Sequence, residues 1–351
     1  MPFHAYFKTG AGRYQERFGL DFEEFSVGQR FKHRPGVMIT QQDNIDESLD
    51  TLNYAMIHYD AHYAAQTAFK LPLVVSSITL QRVLGMSSRT FGRKKAIPSI
   101  AEIAMTAPIF GGATIYCESE IVGLRDGDDA DYGQLAVVSK AFNSEGTQVA
   151  RMGYDIQIYR EGMHPDEAGG DRPAVADEDR FRLYRSEPDG SLIEQYGLFY
   201  EDCEAGETFV HYPARTIYPD FAAEKALRAG EVNPQYHNIE WINRYQAGRL
   251  RVQEGLVVTV ATALTTRTFG RVVANLAWTD IKFGTPVHAG DTIRAESTIV
   301  GKRESKSRPN EGILTADTRA YNQHGEVVIG YRRNLLVYKR DAQTPYKAAG
   351  Y

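Results

Sequence analysis

Cysteine is nearly absent from this chain of 351 residues. Its two cysteines, Cys117 and Cys203, stand at unmatched places, so neither a disulfide framework nor a paired-thiolate zinc site is expected. Long apolar runs are missing as well. None approaches the roughly 20 residues that a membrane-spanning helix needs, and the opening Met1-Pro2-Phe3-His4-Ala5 lacks the charged and apolar regions of a signal peptide. A formal net charge of −5 offers no basic excess to attract nucleic acid or an acidic membrane. No HExxH, P-loop or dinucleotide-type glycine pattern occurs, and Gly153-Tyr154-Asp155 makes no nucleophile elbow. The expectation is a cytoplasmic globular protein without a bound metal, partnered by neither nucleic acid nor membrane.

What the chain has is a second copy of itself. At an offset of 178 residues Gly12 falls on Gly190, Gly28 on Gly206, Phe31 on Phe209, His33 on His211 and Pro35 on Pro213. Arg89-Thr90-Phe91-Gly92 lands on Arg267-Thr268-Phe269-Gly270, and Ile121-Val122-Gly123 on Ile299-Val300-Gly301. Later the offset becomes 179, where Asn143, Gly146 and Tyr159 meet Asn322, Gly325 and Tyr338. One residue has been gained between strands, where an insertion costs least. The period is far longer than that of a stacking repeat, so each copy is expected to fold around its own core. This places a first domain at 1–160, an acidic, proline-containing linker crossing the surface at 161–189, a second domain at 190–340 and a C-terminal tail at 341–351.

Each copy shows one order of elements. After an extended segment near Gly28–Thr40 comes a polar helical piece over 41–52. Leu73, Val74, Ile78, Leu80, Val83 and Leu84 then mark a mostly buried helix over 73–84. The rest alternates as strands: 114–121, 134–142 and, past the turn Asn143-Ser144-Glu145-Gly146, 148–159. One helix followed by hairpin-joined strands implies an antiparallel sheet wrapped round that helix.

On these elements a family resemblance becomes visible. Asn53-Tyr54-Ala55-Met56-Ile57-His58, with Pro72-Leu73-Val74 after it, resembles the G-D-x-N-P-x-H segment of MaoC-like dehydratases, the (R)-specific enoyl-CoA hydratases. Gly230-Glu231-Val232-Asn233-Pro234-Gln235-Tyr236-His237 resembles it in the second copy, and Pro108–Gly112 and Pro286–Thr292 resemble the family's P-V-x-x-G-D-x stretch. The resemblance implies an α+β double hotdog, two antiparallel sheets each wrapped round a central helix and joined into one continuous sheet. It also implies a hydro-lyase acting on a 2-enoyl-CoA/3-hydroxyacyl-CoA pair, with an acyl-CoA thioester as partner. No cofactor is implied, coenzyme A being part of the substrate, and a homo-oligomer is expected. Chain size and the Asn-x4-His spacing resemble the mesaconyl-CoA hydratase (beta-methylmalyl-CoA dehydratase) group, whose substrates are branched and carry a second carboxylate. A hotdog acyl-CoA thioesterase and a non-catalytic acyl-CoA-binding protein are the alternatives.

Neither copy keeps the family's Asp and His together. The first has His58 but Asn53 in place of the acid; the second aligns Glu231 with Asn53 and Tyr236 with His58, leaving His237 one residue out of register. Hydration needs a base for water, a proton for the α carbon and donors for the enolate oxygen. His58 suits the base, or else caps a helix or satisfies a buried polar group. Asn53 orients water or forms an Asx turn; Glu231, Tyr236 and His237 serve if the second copy holds a site, or mark a turn. By the family's position, enolate donors are backbone amides at Val75 and Ser76, where the helix dipole helps. Arg89 and Arg267 contact a carboxylate or phosphate, or mark helix ends with Gly92 and Gly270 as caps. Arg93, Lys94 and Lys95 suit the phosphates of CoA, or form a solvated loop. Asp60 caps the next helix, and His33 and His211, repeated in both copies, are expected to be structural.

Overall fold

A computed structural model describes residues 3–167, 172–342 and 344–351. Two compact units result, each built on one sheet. The first-copy unit comprises Phe18–Arg172, Tyr184–Gln195 and Tyr351; the second-copy unit comprises Met1–Arg17, Pro173–Leu183 and Tyr196–Gly350. Both copies are hotdogs, each built on its own hydrogen-bonded sheet. Among the described residues no helix is long and apolar enough to cross a membrane.

In the first-copy unit the helices are α1 (Gln41–Asp50), α2 (Ala61–Gln66) and the central α3 (Ser76–Met86). Helix α3 starts three residues later than its apolar pattern suggested, because Leu73 and Val74 are extended: Leu73 bridges Phe110, and the Val74 amide donates to the Ile109 carbonyl at 2.9 Å. Ile78, Thr79 and Val83 of α3 are buried, and the helix packs on strands Arg30–Ile39, Ala113–Asp126 and Tyr132–Asn143. Those strands alternate as a one-sided sheet must: Ile115, Cys117, Ser119 and Ile121 all point inward. Burying each such aliphatic side chain contributes about 1.5–3 kcal/mol. The sheet runs Lys94–Met105, Gln148–Tyr159, Tyr132–Asn143, Ala113–Asp126, Arg30–Ile39, Leu192–Glu194, Tyr184–Ser186. The second-copy unit repeats this plan with α4 (Pro219–Arg228), α5 (Ile239–Tyr245) and the central α6 (Glu254–Leu264).

The opening segments of the two repeats have changed places. Leu192–Glu194, from the second repeat, pairs in parallel with Arg30–Ile39 of the first, while Arg13–Glu16 pairs in parallel with Thr208–Val210 of the second. Buried polar networks fix both exchanges. In the first-copy unit His33 Nδ1 lies 3.0 Å from Glu194 Oε1 and His33 Nε2 lies 2.9 Å from Ser119 Oγ, with Thr90 Oγ1 donating to Glu194 at 2.8 Å. In the second-copy unit His211 Nδ1 lies 3.0 Å from Glu16 Oε1 and Nε2 lies 2.9 Å from Ser297 Oγ, with Thr268 donating to Glu16 at 2.7 Å. His33 and His211 are therefore structural, as their repetition implied. Their acids, Glu16 and Glu194, are themselves repeat-equivalent and lie in each other's units.

This corrects the linear domain boundaries. Residues 3–17 sit with the second copy, and much of 161–189 is no surface linker: Ala176, Phe181, Leu183 and Tyr184 are buried. The acidity there is partly structural too. Glu167 receives Arg93 at 2.6 Å and Asp21 receives Arg172 at 2.6 Å, in a largely buried ion-pair cluster.

Candidate active site

Around His58 the first copy builds a pinned imidazole. Helix α1 opens with a capping box, Thr40 Oγ1 accepting from the Asp43 amide at 3.0 Å and Asp43 accepting from the Thr40 amide at 2.8 Å. After α1 the Asn53 side-chain oxygen accepts from the Ala55 amide at 3.0 Å, the Asx turn that was one of its two readings. The chain then makes one short turn, Met56–His58, and half-buried His58 directs Nδ1 at the Leu73 carbonyl, 2.7 Å away. A carbonyl only accepts, so Nδ1 carries the hydrogen. The neutral ring then presents Nε2 as a lone pair.

Asn44, fully buried on α1, organises this turn. Its Nδ2 donates to the His58 carbonyl at 2.8 Å and the Leu73 carbonyl at 3.0 Å, and its Oδ1 accepts from the Val75 amide at 2.8 Å. One side chain thus ties α1, the histidine turn and the start of α3. The Val75 N–H is used up by that bond, which corrects its expected role as an enolate donor. The amides of exposed Ser76 and of Ser77, in the first turn of α3, have no acceptor among the described residues, and the positive end of the helix dipole lies there. Asp60 caps α2 through the Tyr63 amide at 2.9 Å.

In the second copy the corresponding place is closed. Tyr236, at the position of His58, is buried and donates its hydroxyl to Glu254 Oε2 at 2.7 Å. Glu254 aligns with Ser76 and is the first residue of α6; Arg251 pairs with its other oxygen at 2.8 Å. Burial raises Glu254, but the Tyr236 and Arg251 bonds outweigh it and hold the carboxyl below its ordinary value. Burial and the same bond push Tyr236 up to about 12. A carboxylate already neutralises this helix end, and no basic nitrogen stands at the histidine's position. Asn44 is matched by buried Ala222. Glu231 accepts from the Asn233 amide at 2.9 Å, and Asn233 Oδ1 accepts from the Gln235 amide at 3.2 Å, which is the turn reading of both. Half-buried His237 has no hydrogen-bond partner for Nε2 among the described residues.

The cations separate in the same way. Arg267 donates to the carbonyls of Tyr212 and Arg17, both at 2.9 Å, and approaches Glu16 at 3.9 Å. These bonds give Arg267 a structural duty. Arg89 lies near Glu194 and helps hold its carboxyl low. Arg93 is buried in ion pairs with Asp21 and Glu167, so the basic cluster loses its first member. Lys95 pairs with Asp131 at 3.2 Å and lies over the Tyr132 ring; Lys94 is exposed without an acidic partner among the described residues. Gly92 and Gly270 are not left-handed caps. A Cβ on Gly92 would meet the Phe18 ring at 2.6 Å, and one on Gly270 the Tyr196 ring at 2.6 Å. Among the described residues no three His, Cys, Asp or Glu side chains converge as metal ligands would.

Two decisive residues escaped the sequence reading. Asn44 carried a signal, a polar side chain on the buried stripe of an amphipathic helix opposite Ala222 in the other copy. Glu254 carried one too, since the offset sets it against Ser76 at the head of the central helix.

Comparison with known proteins adds a family. A family model described as mesaconyl-CoA hydratase matches residues 7–272 and 270–348. A mesaconyl-CoA hydratase of Cereibacter sphaeroides is 32% identical over 157 residues, 43% of this chain and 44% of that protein. A beta-methylmalyl-CoA dehydratase of Chloroflexus aurantiacus is 29% identical over 150 residues, 42% of each. The matched stretches thus span less than half the length of these relatives. Among solved structures, a conserved hypothetical protein from Mycobacterium tuberculosis with a double hotdog fold is 20% identical, with 91% of this chain and 99% of that one covered and a TM-score of 0.39. A MaoC-like dehydratase from Rhodospirillum rubrum is 26% identical, covering 41% of this chain and 99% of that one, with a TM-score of 0.35.

Proposed function

Because this chain belongs to the mesaconyl-CoA hydratase family, we propose that it adds water to, or removes it from, a 2-enoyl-CoA/3-hydroxyacyl-CoA pair, with His58 as the base. The family and its relatives favour a branched dicarboxylic acyl group such as mesaconyl. The observation that carries the reading is the His58 Nδ1 bond to the Leu73 carbonyl, beside an α3 N-terminus that no acidic side chain of its first turn covers.

In the hydration direction His58 Nε2 takes a proton from water as the water oxygen bonds to C3. The C2–C3 π pair moves toward the thioester oxygen, and the resulting enolate is met by the Ser76 and Ser77 amides and the dipole of α3. The imidazolium then returns its proton to C2, so one water is consumed and the base is regenerated. Acid and base are one residue, which accommodates Asn53 in place of a carboxylate. Asn44 positions this machinery without touching substrate.

The test is incubation with crotonyl-CoA and mesaconyl-CoA. Loss of enoyl absorbance without free thiol is expected, with His58→Ala abolishing turnover while the thioester still binds. Thiol release would establish a thioesterase instead. Full turnover in His58→Ala would move the active site away from the first copy.

A further inference from the structure

The two copies treat the exposed face of the central helix in opposite ways. In the first, a polar network closes it: Glu47 on α1 accepts from Ser77 Oγ at 3.0 Å and Gln81 Nε2 at 2.8 Å, and Asp43 pairs with Arg82 at 3.7 Å. In the second, the matching positions hold Lys225 for Glu47, Gly255 for Ser77, Thr259 for Gln81, Phe221 for Asp43 and Val260 for Arg82. Every member of the network is gone. In its place a cavity of about 720 Å³ opens between α4 and α6, walled by Phe221, Leu256, Val260, Ala263 and Leu264. That volume falls in the range of about 300–1,000 Å³ typical of small-molecule sites.

Its charge is equally specific. Arg215 and Lys225 both line the cavity, their cationic groups 5.2 and 5.6 Å from the Phe221 ring. Both are exposed, and among the described residues neither has a carboxylate partner. Loss of a polar network alone would leave a neutral hollow. Here both carboxylates that closed it are gone, Asp43 replaced by Phe221 and Glu47 by Lys225, so an apolar slot has gained a doubly cationic rim.

We propose that this cavity of the second copy is a binding site for an anionic amphiphile, an acyl chain with a carboxylate at one end. The chain lies along α6 against Phe221, Val260 and Ala263, and the carboxylate meets Arg215 and Lys225. The site uses no group of the His58 machinery and does not rest on the hydration reading.

Calorimetric titration of the full chain with octanoate, decanoate, dodecanoate, dodecanol and decanoyl-CoA tests it. Each added methylene is expected to tighten binding by about fourfold until the cavity is full, and dodecanol to bind at least tenfold more weakly than dodecanoate. Lys225→Glu with Thr259→Gln rebuilds the Glu47–Gln81 pair of the first copy and is expected to abolish binding. Arg215→Gln, a surface change that spares the core, is expected to weaken dodecanoate at least fivefold and to leave dodecanol unchanged. Decanoyl-CoA binding more tightly than decanoate would overturn the proposal in favour of the thioester as occupant. Dodecanol equal to dodecanoate, no dependence on chain length, or binding untouched by Arg215→Gln would each overturn the proposal.

Discussion

Asn44→Ala converts the first copy's clamp into the second copy's Ala222, and its cost can be worked from the bonds it removes. The Val75 amide, at a residue 6% exposed, loses its acceptor and is left buried without one; such an orphan costs about 1–3 kcal/mol. The two carbonyls fare better. His58 O keeps Gln41 Nε2 at 3.0 Å, and Leu73 O keeps His58 Nδ1 at 2.7 Å. Losing a second donor at each costs about 0.5–1.5 kcal/mol, so destabilisation of about 2–6 kcal/mol is expected in urea unfolding. The effect on turnover has a separate cause. Freed of its tie, the start of α3 moves relative to the imidazole, and misplacement of about 1 Å costs on the order of a hundredfold in rate. With crotonyl-CoA, kcat is therefore expected to fall tenfold to a hundredfold, with KM little changed. Asn44→Asp adds a control. Its carboxylate keeps the Val75 bond but faces two carbonyls, so activity relative to wild type should recover as pH falls and a donor proton returns. Unfolding within about 0.5 kcal/mol of wild type together with unchanged kcat would refute the reasoning.

Two further outcomes follow from the same geometry. Burial raises the Glu194 carboxyl, but the bonds from His33 and Thr90 outweigh it and hold the group below its ordinary 4.5. Its contribution is therefore fully present above that value and lost as pH falls through the lower folded-state value. Glu194→Ala should cost about 3–5 kcal/mol at pH 7, and the gap from wild type should narrow in acid; a gap constant to about pH 3 would contradict this. Asn53→Ala removes only an Asx turn and should leave kcat within about threefold, whereas a hundredfold loss in steady-state assays would give that amide a role at the substrate.

Much of the site was legible because the repeat acts as an internal ruler. Setting Tyr236 on His58 showed that the two copies had diverged at the candidate base, and tyrosine bonded to Glu254 is what that divergence looks like in space. The basic run Arg93-Lys94-Lys95 misled for a simple reason. Sequence shows charges but not their partners, and Asp21, Glu167 and Asp131 reach two of the three from distant segments. The acidic stretch after Tyr159 misled likewise, since its carboxylates and apolar residues take part in folded units rather than in a solvated bridge.

The sequence by itself determined the duplication, the one-helix, many-strand order of each copy, and the asymmetry between a copy that keeps its histidine and one that does not. These are local or periodic properties, carried by side-chain alternation and by a constant offset. Only the tertiary structure decided which segments complete which sheet. His33 finds its acid 161 residues away and His211 finds its own 195 residues away. Because Glu16 and Glu194 stand at equivalent places in the repeat, either assignment satisfies the same local pattern. Burying an acid beside a histidine requires a specific partner in space, and that choice is made by packing, not by spacing along the chain.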